Sequence, residues 1–69
     1  MRANAYEIPQ DIKDKWAEAK KTAIDLRNEL GKNPVDREKA LELYAKHRAL
    51  MLEIRDWRFM QKLDALTAQ

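Results

Sequence analysis

His47 and Met51 come nearest, in type and spacing, to a metal site in this 69-residue chain. An imidazole and a thioether four residues apart face the same side of a helix, and both suit a soft or borderline ion such as zinc or copper. A closed zinc site takes four ligands. The chain has no second histidine and no cysteine, so a second copy would have to double the count. The other reading is a half-buried histidine with its ring packed and one nitrogen solvated, and no cofactor is then required. Serine is absent as well, which leaves Thr22, Thr67 and lysines as nucleophiles. Carboxylates pair only on exposed helix faces, where nothing raises a pKa. No enzyme activity is expected.

Composition excludes other classes. One glycine cannot build a phosphate-cradling loop. Fourteen basic and twelve acidic residues are interspersed, for a net charge of +2, which is no footprint for nucleic acid. The longest apolar run, Ala49-Leu50-Met51-Leu52, is too short to span a membrane. No leader is legible, since Met1-Arg2 has no apolar stretch behind it.

The elements that must position these residues follow from three breakers. Residues 1–8 show no sustained period and read as a flexible or weakly ordered arm, leaving 9–69 as a single helical domain. Pro9 suits the first turn of a helix. From there Ile12, Trp16, Ala19, Ala23, Leu26 and Leu30 recur at steps of four and three, a seam about three heptads long. Gly31 stands where a helix end favours a left-handed residue. In the following Asn33-Pro34-Val35-Asp36, either Asn33 caps the next helix with Pro34 at its first position, or Asp36 is the cap. The short connection predicts an all-α, antiparallel two-helix hairpin over about 9–30 and 34–67. Asp11 with Lys15, and Glu42 with Lys46, are spaced for pairs within their helices.

The second helix carries too many apolar faces for a hairpin. Ala40, Leu43, His47, Leu50, Ile54 and Trp57 form the seam that packs on the first helix. Leu41, Ala45, Leu52, Phe59, Leu63 and Leu66 form another stripe. Leu52 and Phe59 project roughly 160–180° away from Leu50 and Trp57. Met51 and Met60 fall on the flanks between them. A helix apolar around most of its girth is normally buried all round. The chain is therefore expected to form a homo-oligomeric bundle, at least a dimer. The alternative cover is the arm of residues 1–8. Leu41, Met51, Leu52, Arg55, Phe59, Met60, Leu63 and Leu66 are the candidate oligomer or client surface.

Several stretches resemble the zinc resistance-associated proteins and, more broadly, the Spy/CpxP-like extracytoplasmic helical hairpins. These are Ile8-Pro9-Gln10-Asp11 with Trp16, Leu26-Arg27-Asn28-Glu29-Leu30, Asn33-Pro34-Val35-Asp36 with Lys39-Ala40-Leu41, and the closing Leu63-Asp64-Ala65-Leu66-Thr67-Ala68-Gln69. Ile8 departs from the Leu-Thr usual before that proline. No histidine- or cysteine-rich tail is present, which weakens a zinc assignment. The resemblance implies a periplasmic stress protein, an ATP-independent chaperone or metal-stress factor that holds unfolded clients as an oligomer. A structural oligomerisation or partner-binding module, with neither client nor metal, is the alternative.

Overall fold

A computed structural model describes residues 7–68. Two helices, α1 (Gln10–Leu30) and α2 (Arg37–Thr67), pack antiparallel as the hairpin expected from the breakers. The extent of the arm proposed for 1–8 falls mostly outside the described residues; Glu7 and Ile8 are exposed and non-helical.

Pro9 sits one residue outside α1, at the cap position, with extended backbone. It has no side chain to cap with, so its carbonyl does the work, accepting from the amides of Ile12 and Lys13 at 3.1 Å each. Asp11 in the first turn favours the positive end of the dipole. At the far end, Gly31 has φ −85° and ψ −4°, so the expected left-handed cap is not formed. The chain stays right-handed, with the Gly31 amide donating to the carbonyls of Arg27 and Asn28. A methyl group there would meet those two oxygens at 3.6 Å, an ordinary contact. Gly31→Ala should therefore stabilise the fold by about 0.4–1 kcal/mol, by restricting the unfolded chain. A urea titration followed by circular dichroism checks this; a loss of stability would show that residue 31 needs glycine after all.

The second helix begins three residues later than its earliest expected start. Asp36 is the cap, and its carboxylate accepts from the Lys39 amide at 3.1 Å. Pro34, joined by a cis peptide to Asn33, lies in the turn. What decides between the two readings is Glu29, on the last turn of α1. Its carboxylate is buried and accepts from the Asp36 amide at 3.1 Å and from Lys32 Nζ at 3.0 Å. Glu29 thus satisfies an amide at the mouth of α2 that a capping-box acid would otherwise reach from inside its own helix. The Lys32 contact, then the Asp36 amide, hold this carboxyl below its ordinary value of 4.5.

A depressed carboxyl pKa means stability present above 4.5 and lost as pH falls through the folded-state value. Glu29→Gln should lower the melting temperature at neutral pH, and its gap from the natural protein should close in acid. Melts across the pH range read this directly; a gap that does not change with pH would place the effect in packing rather than charge.

The α2 side of the seam is the expected one, whereas on α1 the buried face is turned toward Thr22 and Glu29. Ile12, Ala19 and Ile54 are the buried apolar residues, and Thr22 and Glu29 are buried with them. Ala23, Leu26, Leu43, Leu50 and Trp57 are half-buried. Trp16 and Leu30, placed on the seam by spacing, are 44% and 57% exposed. The reason is size. Ala19 and Thr22 let α2 approach closely, and His47 fills the gap with its Nδ1 3.0 Å from the Ala19 carbonyl oxygen. Bulkier Trp16 and Leu30 are left at the edges. Trp16 lies beneath the Arg58 guanidinium, 5.9 Å from its ring centre, a cation–π contact between helices.

Register is marked by two ion pairs across the seam, Lys46 with Glu18 at 2.9 Å and Lys15 with Glu53 at 3.3 Å. Lys15 also reaches Asp11, as spaced, at 3.9 Å. Lys46 turns to α1 rather than to Glu42, which pairs loosely with Lys39. Lys46 is raised above 10.5 by Glu18, and Glu18 is lowered by Lys46. Their joint contribution is present between those limits and is lost at either extreme.

Candidate functional site

Helical spacing alone gives α2 two apolar sides, and α1 covers one. Ile54 and His47 point at α1; Leu52 and Phe59 project roughly opposite. Leu41 is 53% exposed, Leu52 44%, Phe59 61%, Leu63 39% and Leu66 61%. Ala45 and Met60 are exposed too, and Met51 is half-buried on the flank. Scattered apolar residues on a surface need no explanation, but a stripe running the length of a helix does.

The stripe continues at the turn into a shallow cleft of about 430 Å³, lined by Leu26, Leu30, Val35, Ala40, Leu41 and Tyr44, with Arg37 at its rim. Leu30 is therefore part of this outer surface rather than of the seam. At the other end the antiparallel register carries α2 past the start of α1. Lys15 lies beside Glu53, so Phe59 and the residues after it extend beyond Pro9. Whether residues 1–6 cover any of that surface lies outside the described residues.

Arg55 is exposed on one border of the stripe, as are Arg48 and Lys62. None of these three makes an ion pair among the described residues. By spacing, Lys46 and Glu53 lie on the other border, both paired with α1, and Asp56 falls within the stripe beside Leu63. Thus the apolar stripe has one basic edge, its cations free among the described residues, and one edge whose charges are taken up by α1.

The metal-like pair reads differently once its surroundings are seen. A carbonyl oxygen only accepts, so Nδ1 of His47 carries the hydrogen and donates it to Ala19, leaving Nε2 for any other partner. A bond of this kind from the other ring nitrogen is what orients a metal-bound histidine. The number of ligands is what falls short: His47 and Met51 are two donors. Among the described residues no group of three or more histidine, cysteine or acidic side chains comes together around a common point. Among the described residues, the two donors are fewer than the four ligands of a closed zinc site.

The two threonine hydroxyls are committed to backbone. Thr22 donates to the Glu18 carbonyl at 2.6 Å, and Thr67 donates to that of Leu63 at 2.9 Å. Among the described residues no helix is long and apolar enough to cross a membrane. Sequence reasoning missed the burial of Thr22 and Glu29 on the seam. Their only signal was position, since Ala19, Thr22, Leu26 and Glu29 also keep three- and four-residue steps.

Protein-family models, curated proteins and solved structures offer no match to this chain. The functional reading therefore rests on the surface itself.

Proposed function

We propose that this hairpin is a non-catalytic association module that works as an oligomer through the outer face of α2. The single observation carrying this reading is the stripe from Leu41 to Leu66, exposed along the side of α2 that faces away from α1. The small core supports it. A hairpin with three buried apolar side chains among its described residues has little stability of its own, and chains of this size commonly gain the remainder by oligomerising. Sedimentation equilibrium over a wide concentration range tests it. A mass at least twice 8.2 kDa is expected, and a monomer at every concentration would overturn the reading.

A second reading uses the same surface for unfolded clients, as the resemblance to extracytoplasmic Spy/CpxP-like hairpins implies. Exposed Phe59 and Met60 beside Arg55 and Arg58 favour it, because apolar and cationic groups together suit unfolded, mixed-charge chains. On that reading the hairpin slows aggregation of a denatured client at stoichiometric dose without ATP. A metal-stress role would in addition require His47 and Met51 to gain ligands from another chain. An unchanged melting temperature in excess zinc would remove that role.

A further inference from the structure

We infer that one broad side of the hairpin binds a single strand of nucleic acid, held by two rows of cations with exposed aromatic rings between them.

Folding sorts charges that are mixed along the chain. Buried Ala19 and Ile54 mark the direction from each helix to its partner. Measured from them, Lys13, Lys20 and Arg27 project at roughly 80–120° from α1. Arg37, Arg48, Arg55 and Lys62 project at roughly 80–120° from α2, and Arg58 at roughly 40°. Every acid within the two helices projects at roughly 200–280° instead. In an antiparallel pair, equal rotations on the two helices point to the same side of the hairpin. The contacts agree. Arg58 lies over Trp16 on this side, while Lys46–Glu18 and Lys15–Glu53 join the helices on the other. Eight of the fourteen basic residues, three from α1 and five from α2, thus share a side where no helical acid stands. All eight are exposed, and none makes an ion pair among the described residues. The net charge of +2 averages this side with an acidic one, which is why composition shows no footprint.

The two rows also stand level. Lys15 meets Glu53 and Ala19 meets His47, a register that sets Lys13 level with Arg55 and Lys20 level with Arg48. Successive levels are seven residues, or about 10.5 Å, apart. From Arg37 to Lys62 the α2 row runs roughly 38 Å. Between the rows lie Trp16, Tyr44, which is 54% exposed, and half-buried Met51. A repeating row suits a polymer of repeating charge better than one compact anion. Five of the eight cations are arginines, whose planar forks hold phosphate oxygens in pairs. Exposed aromatic rings suit unstacked bases, which a single strand offers and a duplex keeps inside its stack. An anionic membrane fits less well. Helices that lie on membranes bury an apolar face, whereas here Trp16 lies beneath Arg58 and cations would meet the surface first. The centre of this side is roughly 60–80° around α2 from Leu52 and Leu63, so strand binding does not depend on association through the outer stripe.

Fluorescence anisotropy of the full chain with labelled oligo-dT and oligo-U of about 12 nucleotides tests this, a length within the usual range of single-strand sites. Saturable binding is expected, weakening at least 10-fold between about 50 and 200 mM salt as counterions are released. Arg48→Glu with Arg55→Glu should weaken it at least about 10-fold, whereas Arg48→Lys with Arg55→Lys should keep most of it. Lys21→Glu with Lys39→Glu makes the same change in net charge on the other side of the hairpin, and should stay within about 3-fold of the natural chain. Tyr44→Ala should weaken binding at least about 5-fold through lost stacking. All these residues are exposed, so circular dichroism should show the natural helix in every variant. Absence of binding at about 50 mM salt overturns the inference. An equal loss in the Lys21 and Lys39 variant reduces the effect to net charge and overturns the face. An unchanged affinity in Tyr44→Ala overturns the stacking. A duplex of the same length that binds as tightly, or binding to phosphatidylglycerol vesicles in place of the oligonucleotides, overturns the single strand as partner.

Discussion

Ile54→Ala should remove most of the stability of the hairpin, by about 2–4 kcal/mol. Ile54 is 1% exposed and is the largest side chain fully buried. It packs where α2 crosses α1, at the level of Ile12, and the only other buried apolar side chains among the described residues are Ile12 and Ala19. Truncation costs the transfer of three methyl or methylene carbons and leaves a cavity that two straight helices cannot close without sliding. Sliding would strain the Lys46–Glu18 and Lys15–Glu53 pairs that mark the register. A lone core of this size supplies about 3–5 kcal/mol, so the loss is of the same order as the total. In a thermal melt at 222 nm the midpoint should fall by roughly 10–20 °C. Ile24→Ala is the control. Ile24 is 53% exposed, and its removal should stay within about 0.5 kcal/mol. If both variants melt alike, the buried seam is not where the stability resides.

Leu52→Glu combined with Phe59→Glu should separate folding from association. Both residues are exposed in the single hairpin, so two glutamates there cost the isolated fold little. In a dimer joined through this face the same change places four carboxylates in a desolvated seam and removes two apolar side chains per copy. Burying each of those side chains is worth about 1.5–3 kcal/mol, so the dissociation constant should rise by at least about 100-fold. Sedimentation should give the monomer, and the dependence of melting temperature on protein concentration should vanish. The natural protein should show that dependence. A variant that sediments like the natural protein would place the contact elsewhere, with the cleft at the turn the next surface to probe.

The hairpin itself was legible because its signals are local. Pro9, Gly31, Pro34 and Asp36 break or cap the helices in ways that neighbouring residues determine, and the three- and four-step spacing between them specifies helix. The second apolar side of α2 was legible for the same reason, since 3.6 residues per turn places Leu52 opposite Leu50 whatever else the chain does. What spacing did not resolve was the choice between adjacent columns of the seam. Trp16 outranks Lys15 in hydrophobicity and Leu30 outranks Glu29, so reading by apolarity selects the wrong member of each pair. Glu29 can be buried because the Asp36 amide and Lys32 meet its carboxylate, and neither contact is visible until the turn is closed. His47 carried a similar ambiguity. Its residue type suggested a ligand, and the Ala19 carbonyl gives its ring a packing role across the helices.

By itself, then, the sequence determined two helices, their short antiparallel connection, and an apolar stripe of α2 that one partner helix leaves open. These follow from periodicity and from the backbone preferences of single residues. Only the tertiary structure decided which side of α1 faces α2, that Gly31 stays right-handed, that Asp36 caps α2, and that Glu29 closes the turn. Those outcomes depend on how closely two particular surfaces can approach, and on whether a buried polar group finds its partner from the other helix. Close approach and long-range hydrogen bonding are properties of the folded pair, and no window along one helix contains them.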